Sequence, residues 1–241
     1  PVDIPGCLAF WDFQQAGPTW TSRGAAPCTL EIGGGRPQVE DITGAPFGAK
    51  ALFLPEGAWL RIPRAACPHL DRHGDMGLTV LAWIRRQQTA TAQCEFLAGQ
   101  WNETEGGRQY GLFLNIGVWG GRDQVCGHVS TCGGPTPGFK YCMDGAIGAT
   151  PVPRDAWSCV GMAFDGRTAT AWLGGRLDLR PEVNPYPLGS GLNDGGVNGS
   201  DFTVGGVHRH GEMGNFFTGH LGGLAVYDRA LTPAEHWGLG A

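Results

Sequence analysis

Residues 157–177 read WSCVGMAFDGRTATAWLGGRL, and this stretch decides the fold class. Trp157–Gly166 and Thr168–Leu177 are two apolar, β-prone runs separated by Asp165-Gly166, a strong short-range signal for a β-hairpin. Working outward, Leu78–Arg85 (LTVLAWIR) is the clearest single strand, and Cys94–Trp101 (CEFLAGQW) is its expected partner. Ala51–Pro63 (ALFLPEGAWLRIP) reads as a second hairpin turning at Pro55-Glu56-Gly57. Gln109–Gly117 and Gln124–Ser130 read as a further pair. Cys7–Phe13 opens the series, while Asp201–Gly206 and His220–Tyr227 close it. A polar Gly/Pro region runs to about Gly48, Ala65–Gly77 is a connector, and Pro181–Ser200 is a long polar loop. Thr232–Trp237 fits one helical turn with Thr232 as N-cap, Pro233 at N1 and Glu235 at N3. No linker or fixed-period repeat is visible, so residues 1–241 read as one all-β domain of a dozen or so short strands, a sandwich.

The totals agree. The chain carries 42 glycines and 17 prolines, a density that suits short strands and tight turns and that long helices do not tolerate. A net charge of −5, with no basic run, argues against nucleic acid as a partner. No apolar run approaches the roughly 20 residues that span a bilayer, so no membrane partner is expected. The start, PVDIPGCLAFWDF, has no basic n-region followed by an apolar h-region. Eight cysteines without a Cys-x-x-Cys motif, in a chain long enough to bury its own core, read as buried free thiols, with disulfides the alternative. The thiol reading favours a cytoplasmic compartment; removal of a leader would make the protein secreted.

The order of segments is similar to that of the laminin-G-like group of concanavalin A-like jelly rolls. The resemblance rests on CLAFWDF, ALFLPEGAWLRIP, LTVLAWIRR, EFLAGQW, QYGLFLN, AWSCVGMAFDG, TATAWLGGRLD, FTVGG and GHLGGLAVYDRALTPAE. It covers nearly the whole chain and looks like a subgroup of single-domain bacterial proteins. It implies a jelly-roll β-sandwich of two antiparallel sheets with a glycan groove on the concave face of one of them. It does not imply one function, since the same sandwich carries lectins, carbohydrate-binding modules, glycosidases and polysaccharide lyases. Relatives often carry acidic residues in the closing motif that help hold a structural calcium; this chain has Gly222 and Gly223 there. The resemblance thus implies no certain cofactor, structural calcium being the one candidate.

The candidate site lies in Gln100–Pro153, the stretch richest in polar and aromatic detail. Side chains alternate along a strand. If the leucines of QYGLFLN are buried, Tyr110 is a core tyrosine and Asn115 faces the groove. In QVCGHVS, burial of Val125 and Val129 turns His128 into the groove. The loop CGGPTPGFKYCMDG has the glycines and prolines to fold back over it, bringing Lys140 and Tyr141 towards His128. A histidine–tyrosine pair is what many jelly-roll lyases of the resembled group use. One member takes the proton α to a uronate carboxyl and the other protonates the leaving oxygen. Gln100, Asn102, Arg108 and Asn115 are candidates to neutralise the carboxylate and bind substrate. Trp101 and Trp119 are candidate stacking platforms, although most of the nine tryptophans belong in a core. The plainer reading of His128 and Tyr141 is a pair of packed side chains bonded to nearby backbone.

Hydrolysis needs two carboxylates flanking the bond. Glu103, Glu105, Asp123, Asp144 and Glu212 are the candidates, and Glu103 reads more simply as a solvated turn residue. His208 and His210 precede Glu212 and fit a glycan-contacting loop better than a metal site, so no metal is assigned. The leading expectation is a glycan-cleaving enzyme acting by β-elimination on a uronate-containing polysaccharide or oligosaccharide, with His128 and Tyr141 as acid and base. The alternatives are a lectin-like carbohydrate-binding module, a glycoside hydrolase and a protein-interaction domain. An enzyme needs its titratable groups within hydrogen-bond reach of one another in a groove. A buried His128 bonded only to backbone would sink the catalytic assignment.

Overall fold

A computed structural model describes residues 1–88 and 94–240. In chain order its strands are β1 (Cys7–Trp11), β2 (Thr19–Thr21), β3 (Thr29–Gly34), β4 (Gln38–Asp41), β5 (Lys50–Leu54), β6 (Trp59–Ile62), β7 (Leu78–Arg86), β8 (Glu95–Gln100), β9 (Tyr110–Leu114) and β10 (Val125–Val129). They continue with β11 (Gly145–Ile147), β12 (Trp157–Phe164), β13 (Thr168–Leu173), β14 (Arg176–Leu177), β15 (Tyr186–Pro187), β16 (Phe202–Val204), β17 (Val207–Arg209), β18 (Glu212–Gly214) and β19 (Gly219–Tyr227). One helix, α1 (Pro233–Gly240), ends the described chain.

The strands form two large antiparallel sheets. The first runs β14-β13-β12-β7-β19-β5-β4, with β1 also paired to β19 and β15 to β13. The second runs β11-β10-β9-β8-β16-β6-β3-β2, and β17–β18 is a separate hairpin. The period-two pattern builds the layers. In β7, Leu78, Val80, Ala82 and Ile84 enter the core between the sheets, while Leu81 and Trp83 join a second apolar cluster outside the first sheet. In β9 and β10, Tyr110, Leu112, Leu114, Val125 and Val129 face the inter-sheet core. Phe113 and Cys126 face the other way, into a third cluster outside the second sheet.

The hairpin at 157–177 forms as expected, with Phe164 opposite Ala169 and the Asp165 carboxylate accepting from the amides of Arg167 and Thr168. β9 and β10 pair as expected, with His128 opposite Gly111. Two expected hairpins do not form. β7 pairs with β12 and β19, whereas β8 pairs with β16 and β9 in the other sheet. β5 likewise lies in the first sheet and β6 in the second. In both places the two successive strands lie in different sheets instead of beside each other. The fully buried Arg86 of β7 pairs with Glu95 of β8 at 2.7 Å, which ties the two sheets together. The polar region before Gly48 also holds three short strands, β2 to β4.

α1 is longer than one turn. Its capping box is in place, with the Thr232 hydroxyl accepting from Glu235 N (3.3 Å) and the Glu235 carboxylate accepting from Thr232 N (2.8 Å). The eight cysteines are unpaired: six are buried, Cys94 is partly buried and Cys132 is exposed. The Gly222–Gly223 departure has a steric cause. A Cβ at Gly222 meets Pro46 Cδ at 2.7 Å, and one at Gly223 meets Phe47 Cε2 at 2.5 Å. The space an acidic side chain needs at these positions is filled by Pro46 and Phe47, so these residues do not fit the calcium ligation implied by the resemblance.

Candidate functional site

The outward face of β8, β9 and β10 carries a cleft of about 630 Å³. Its floor is made by Trp101, Phe113, His128 and Ile116, all nearly or fully buried. Gly111 makes room for this floor, because a Cβ there meets the Phe113 and Phe96 rings at 2.7 and 2.9 Å. Trp101 lies 4.5 Å from the His128 ring and 5.6 Å from Phe113. Two loops from distant parts of the chain build the walls. The turn after Trp101 is shaped by Asn102, whose side-chain oxygen accepts from the amides of Thr104 and Glu105. This turn docks on the β17–β18 hairpin through Glu103 N to His208 O (2.9 Å) and Gly211 N to Thr104 Oγ1 (2.9 Å). The loop between β10 and β11 folds back and supplies Lys140, Tyr141 and Cys142.

His128 is 5% exposed. Its Nδ1 lies 2.8 Å from the main-chain oxygen of Asp144. A carbonyl only accepts, so Nδ1 carries the proton and Nε2 has the lone pair. Burial pushes its pKa down to about 4, partly opposed by that hydrogen bond, so the ring is neutral at pH 7. Burial also pushes the Cys94 thiol up to about 11 and raises that of Cys142, so neither cleft cysteine is a thiolate nucleophile at neutral pH.

Six of the ten predicted site residues line this cleft: Trp101, Arg108, His128, Lys140, Tyr141 and His210. Arg108 donates to Gly133 O (3.1 Å), sits 3.9 Å from the Glu103 carboxylate and stands 5.9 Å over the Trp101 ring. Tyr141 is 57% exposed, with Lys140 Nζ 5.1 Å from its ring centre. The remaining four have other positions. Gln100 is fully buried and donates to Ser200 O, so it reaches no groove. Asn102 shapes its own turn. Asn115 sits at a left-handed turn position and accepts from Asp123 N instead of facing the cleft. His208 packs edge-on to Trp59, with burial lowering its pKa.

The His128–Tyr141 pair is not assembled as an acid–base couple. Among the described residues no hydrogen bond joins their side chains, and the only oxygen bonded to the His128 ring belongs to the main chain. The paired carboxylates of a hydrolase are not assembled either. Glu103 is the one carboxylate among the cleft-lining residues. Asp123 is held by Arg86 (2.6 Å) and Arg154 (3.2 Å), Asp144 by Thr136 and Tyr186, while Glu105 and Glu212 are exposed outside the cleft. Among the described residues no group of three or more His, Cys, Asp or Glu side chains is placed to hold a metal ion.

Arg209 lines the cleft without having been singled out in the sequence. Its guanidinium donates to the side chain of the buried Asn215. No local pattern marks it, because its place depends on the docking of β17–β18 against a turn about a hundred residues earlier.

The fold and cleft define a jelly-roll sandwich whose outward-facing sheet residues form a cleft roofed in part by loops. The family model for the concanavalin A-like lectin/glucanases superfamily, of laminin G type, matches residues 58–235, and the chain belongs to that family. Among solved structures it is similar to domain 4 of AbnA, a GH43 extracellular arabinanase from Geobacillus stearothermophilus solved with arabinotriose. The identity is 18%, with 98% of each chain covered and a TM-score of 0.55. It is also similar to Trypanosoma rangeli sialidase in complex with sialic acid, at 12% identity over 98% of this chain and 32% of that one, TM-score 0.57. The botulinum neurotoxin serotype G binding domain matches at 8% identity over 97% of this chain and 50% of that one, TM-score 0.57. These identities speak to the fold alone. No curated protein sequence matches the chain.

Proposed function

We propose that the protein binds a glycan in this cleft and that the bound unit is acidic. One observation carries the reading. Arg108, Arg209 and Lys140 face a single carboxylate, Glu103, around an aromatic floor, in a chain whose net charge is −5. A cleft lined by three cations and one carboxylate attracts an anionic ligand locally, against the repulsion of the chain's overall negative charge. Guanidinium groups suit a carboxylate through paired N–H donors, and the exposed Tyr141 offers apolar surface to a sugar ring, whereas Trp101 is buried in the floor and is no stacking platform. Neighbours of this fold solved with arabinotriose and with sialic acid support a carbohydrate partner.

β-Elimination on a uronate is the second reading: His128 and Tyr141 lie in the same cleft as the cations, but the burial of His128 and its main-chain bond count against it. In it, the Nε2 lone pair of neutral His128 takes the proton α to the carboxylate. The electrons of that C–H bond form the new C=C bond as the glycosidic C–O bond breaks. The leaving oxygen takes its proton from the Tyr141 hydroxyl.

The test incubates the protein, and His128→Ala beside it, with acidic and neutral glycans, and follows retention by affinity electrophoresis and products by mass spectrometry. Retention by acidic glycans without cleavage is the expected result. Unsaturated fragments from the wild type alone establish elimination. Hydrated fragments turn attention to Glu103. Retention by neutral glycans alone overturns the acidic reading.

A further inference from the structure

The segment Gly117–Gly121 (GVWGG) offers three glycines to a chain reversal, yet Trp119 takes a left-handed conformation itself, at φ 50° and ψ 32°. For a bulky residue this is an outlier, disfavoured by contact between Cβ and the backbone. Burial of the indole does not account for it, because Trp119 remains 41% exposed. Strained conformations of this kind persist where the surroundings over-determine them and concentrate at functional sites. Here the indole N–H donates to Met143 O (2.8 Å), and the Trp119 carbonyl accepts from Arg180 Nη2 (2.7 Å). Phe139 packs edge-on at 6.0 Å. The indole is thus held rigid, with its polar edge used and part of its surface exposed to solvent.

Trp119 is not alone. Four aromatic side chains are markedly exposed among the described residues. Three of them, Trp119, Phe139 (49%) and Tyr141, come from two adjoining loops, the fourth being Trp237. Both loops run into the cleft, since Val118 beside Trp119 and Lys140 beside Phe139 line it. We propose that Trp119, Phe139 and Tyr141 form an outer subsite that stacks on sugar rings of the same glycan chain whose acidic unit lies in the cleft. The ligand is then an oligosaccharide or polysaccharide, not a single sugar. The proposal rests on the glycan reading above. It selects a sugar because a rigid aromatic face whose N–H is already satisfied offers C–H stacking without a directed hydrogen bond, next to cations that suit hydroxyls and carboxylates.

The test uses affinity electrophoresis in gels containing polygalacturonate, alginate, hyaluronate or arabinan, with the matching monosaccharides titrated by NMR. The variants are Trp119→Ala, Phe139→Ala and the pair Arg108→Ala/Arg209→Ala. Phe139→Ala removes no side-chain hydrogen bond, so it remains folded if Trp119→Ala does not. The expected result is retardation of the wild type by a uronate polymer, weakened about tenfold by either aromatic substitution while monosaccharide binding is unchanged. Retardation that both aromatic variants retain in full overturns the outer subsite and leaves the cleft reading intact. Loss in the aromatic variants with no effect of the arginine pair upholds the subsite and overturns the acidic cleft. No retardation of the wild type by any polymer overturns both.

Discussion

Both sheets of the sandwich carry aromatic residues on their outward faces, but one face is sealed and the other is open. Outside the first sheet, Phe10 and Trp83 are capped by Phe47, with ring centres 4.9 and 4.8 Å away. Polar tips there are satisfied by main chain: Trp83 Nε1 donates to Leu239 O in α1, and the Tyr227 hydroxyl donates to Pro1 O. Outside the second sheet, Trp101, Phe113 and His128 are just as buried, but the polar loops over them leave a cleft of about 630 Å³ between them. The number of aromatic residues does not separate the two faces. What separates them is the covering material. The sealed face receives apolar segments from the 46–47 loop, the chain start and α1, and Gly222 and Gly223 admit the first of these. The open face receives a Gly/Pro-rich loop and a charged hairpin.

The largest effect expected from this contrast is on stability. Trp83→Ala on the sealed face should cost about 3–5 kcal/mol, read from urea unfolding, and leave glycan retention by the folded protein unchanged. A loss of retention in folded Trp83→Ala protein would break the separation of the faces. The next effect is pH dependence, because each side carries a buried histidine whose pKa burial lowers to about 4. His128 and His236 (stacked on Trp172 at 3.8 Å) both have pKa values pushed down by burial to about 4, below their ordinary 6.5. Between those values the unfolded state binds more protons than the folded one, so stability rises with pH across the window from about 4 to 6.5 and is lost as pH falls through it. Each should contribute on the order of 2–3 kcal/mol across that window. Urea midpoints measured from pH 4 to 7 should show a shallower slope in His128→Gln and in His236→Gln, and a slope unchanged in either variant refutes that histidine's part.

A third test sharpens the functional side. Arg108→Ala and Arg209→Ala should each weaken binding of an acidic glycan by roughly 1.5–3 kcal/mol while melting within a few degrees of the parent. Titration calorimetry and a thermal scan of the same samples check both halves. The smallest effect is expected at the helix that helps seal the first sheet. Thr232→Ala removes the N-cap and should cost about 1 kcal/mol in urea unfolding without altering glycan affinity.

Much of the fold was legible because period-two alternation is a local property. QYGLFLN and QVCGHVS each assigned their own faces, including a core Tyr110 and an outward His128. Strand neighbours were less legible, since proximity in sequence favours a hairpin only when the connection folds back. The strands either side of Pro55-Glu56-Gly57, and β7 and β8, lie in different sheets, and nothing local distinguishes these cases from a hairpin. β2 to β4 were hidden because short edge strands such as TWT and QVED need little apolar surface. At the site, residues carried by one stretch, Trp101, Arg108, His128, Lys140 and Tyr141, were found together. Arg209 was missed because its position is a tertiary fact. Gln100 and Asn102 were misplaced because an amide that binds a sugar and one that caps a turn have the same chemistry.

The loop that roofs the cleft is tied at its two ends to Arg108, His128 and Trp119, and its outer part is fastened to itself. Thr136 accepts from Met143 N and donates to the Asp144 carboxylate, and its own amide donates to Tyr141 O. The loop leaves the sheet at β10 and re-enters one strand over at β11, at the edge of that sheet. It therefore behaves as a cassette. Its length and composition can be exchanged by insertion, deletion or grafting while β9 and β10 keep their register, so a lineage or an engineer can re-address the protein to a new ligand without rebuilding the sandwich.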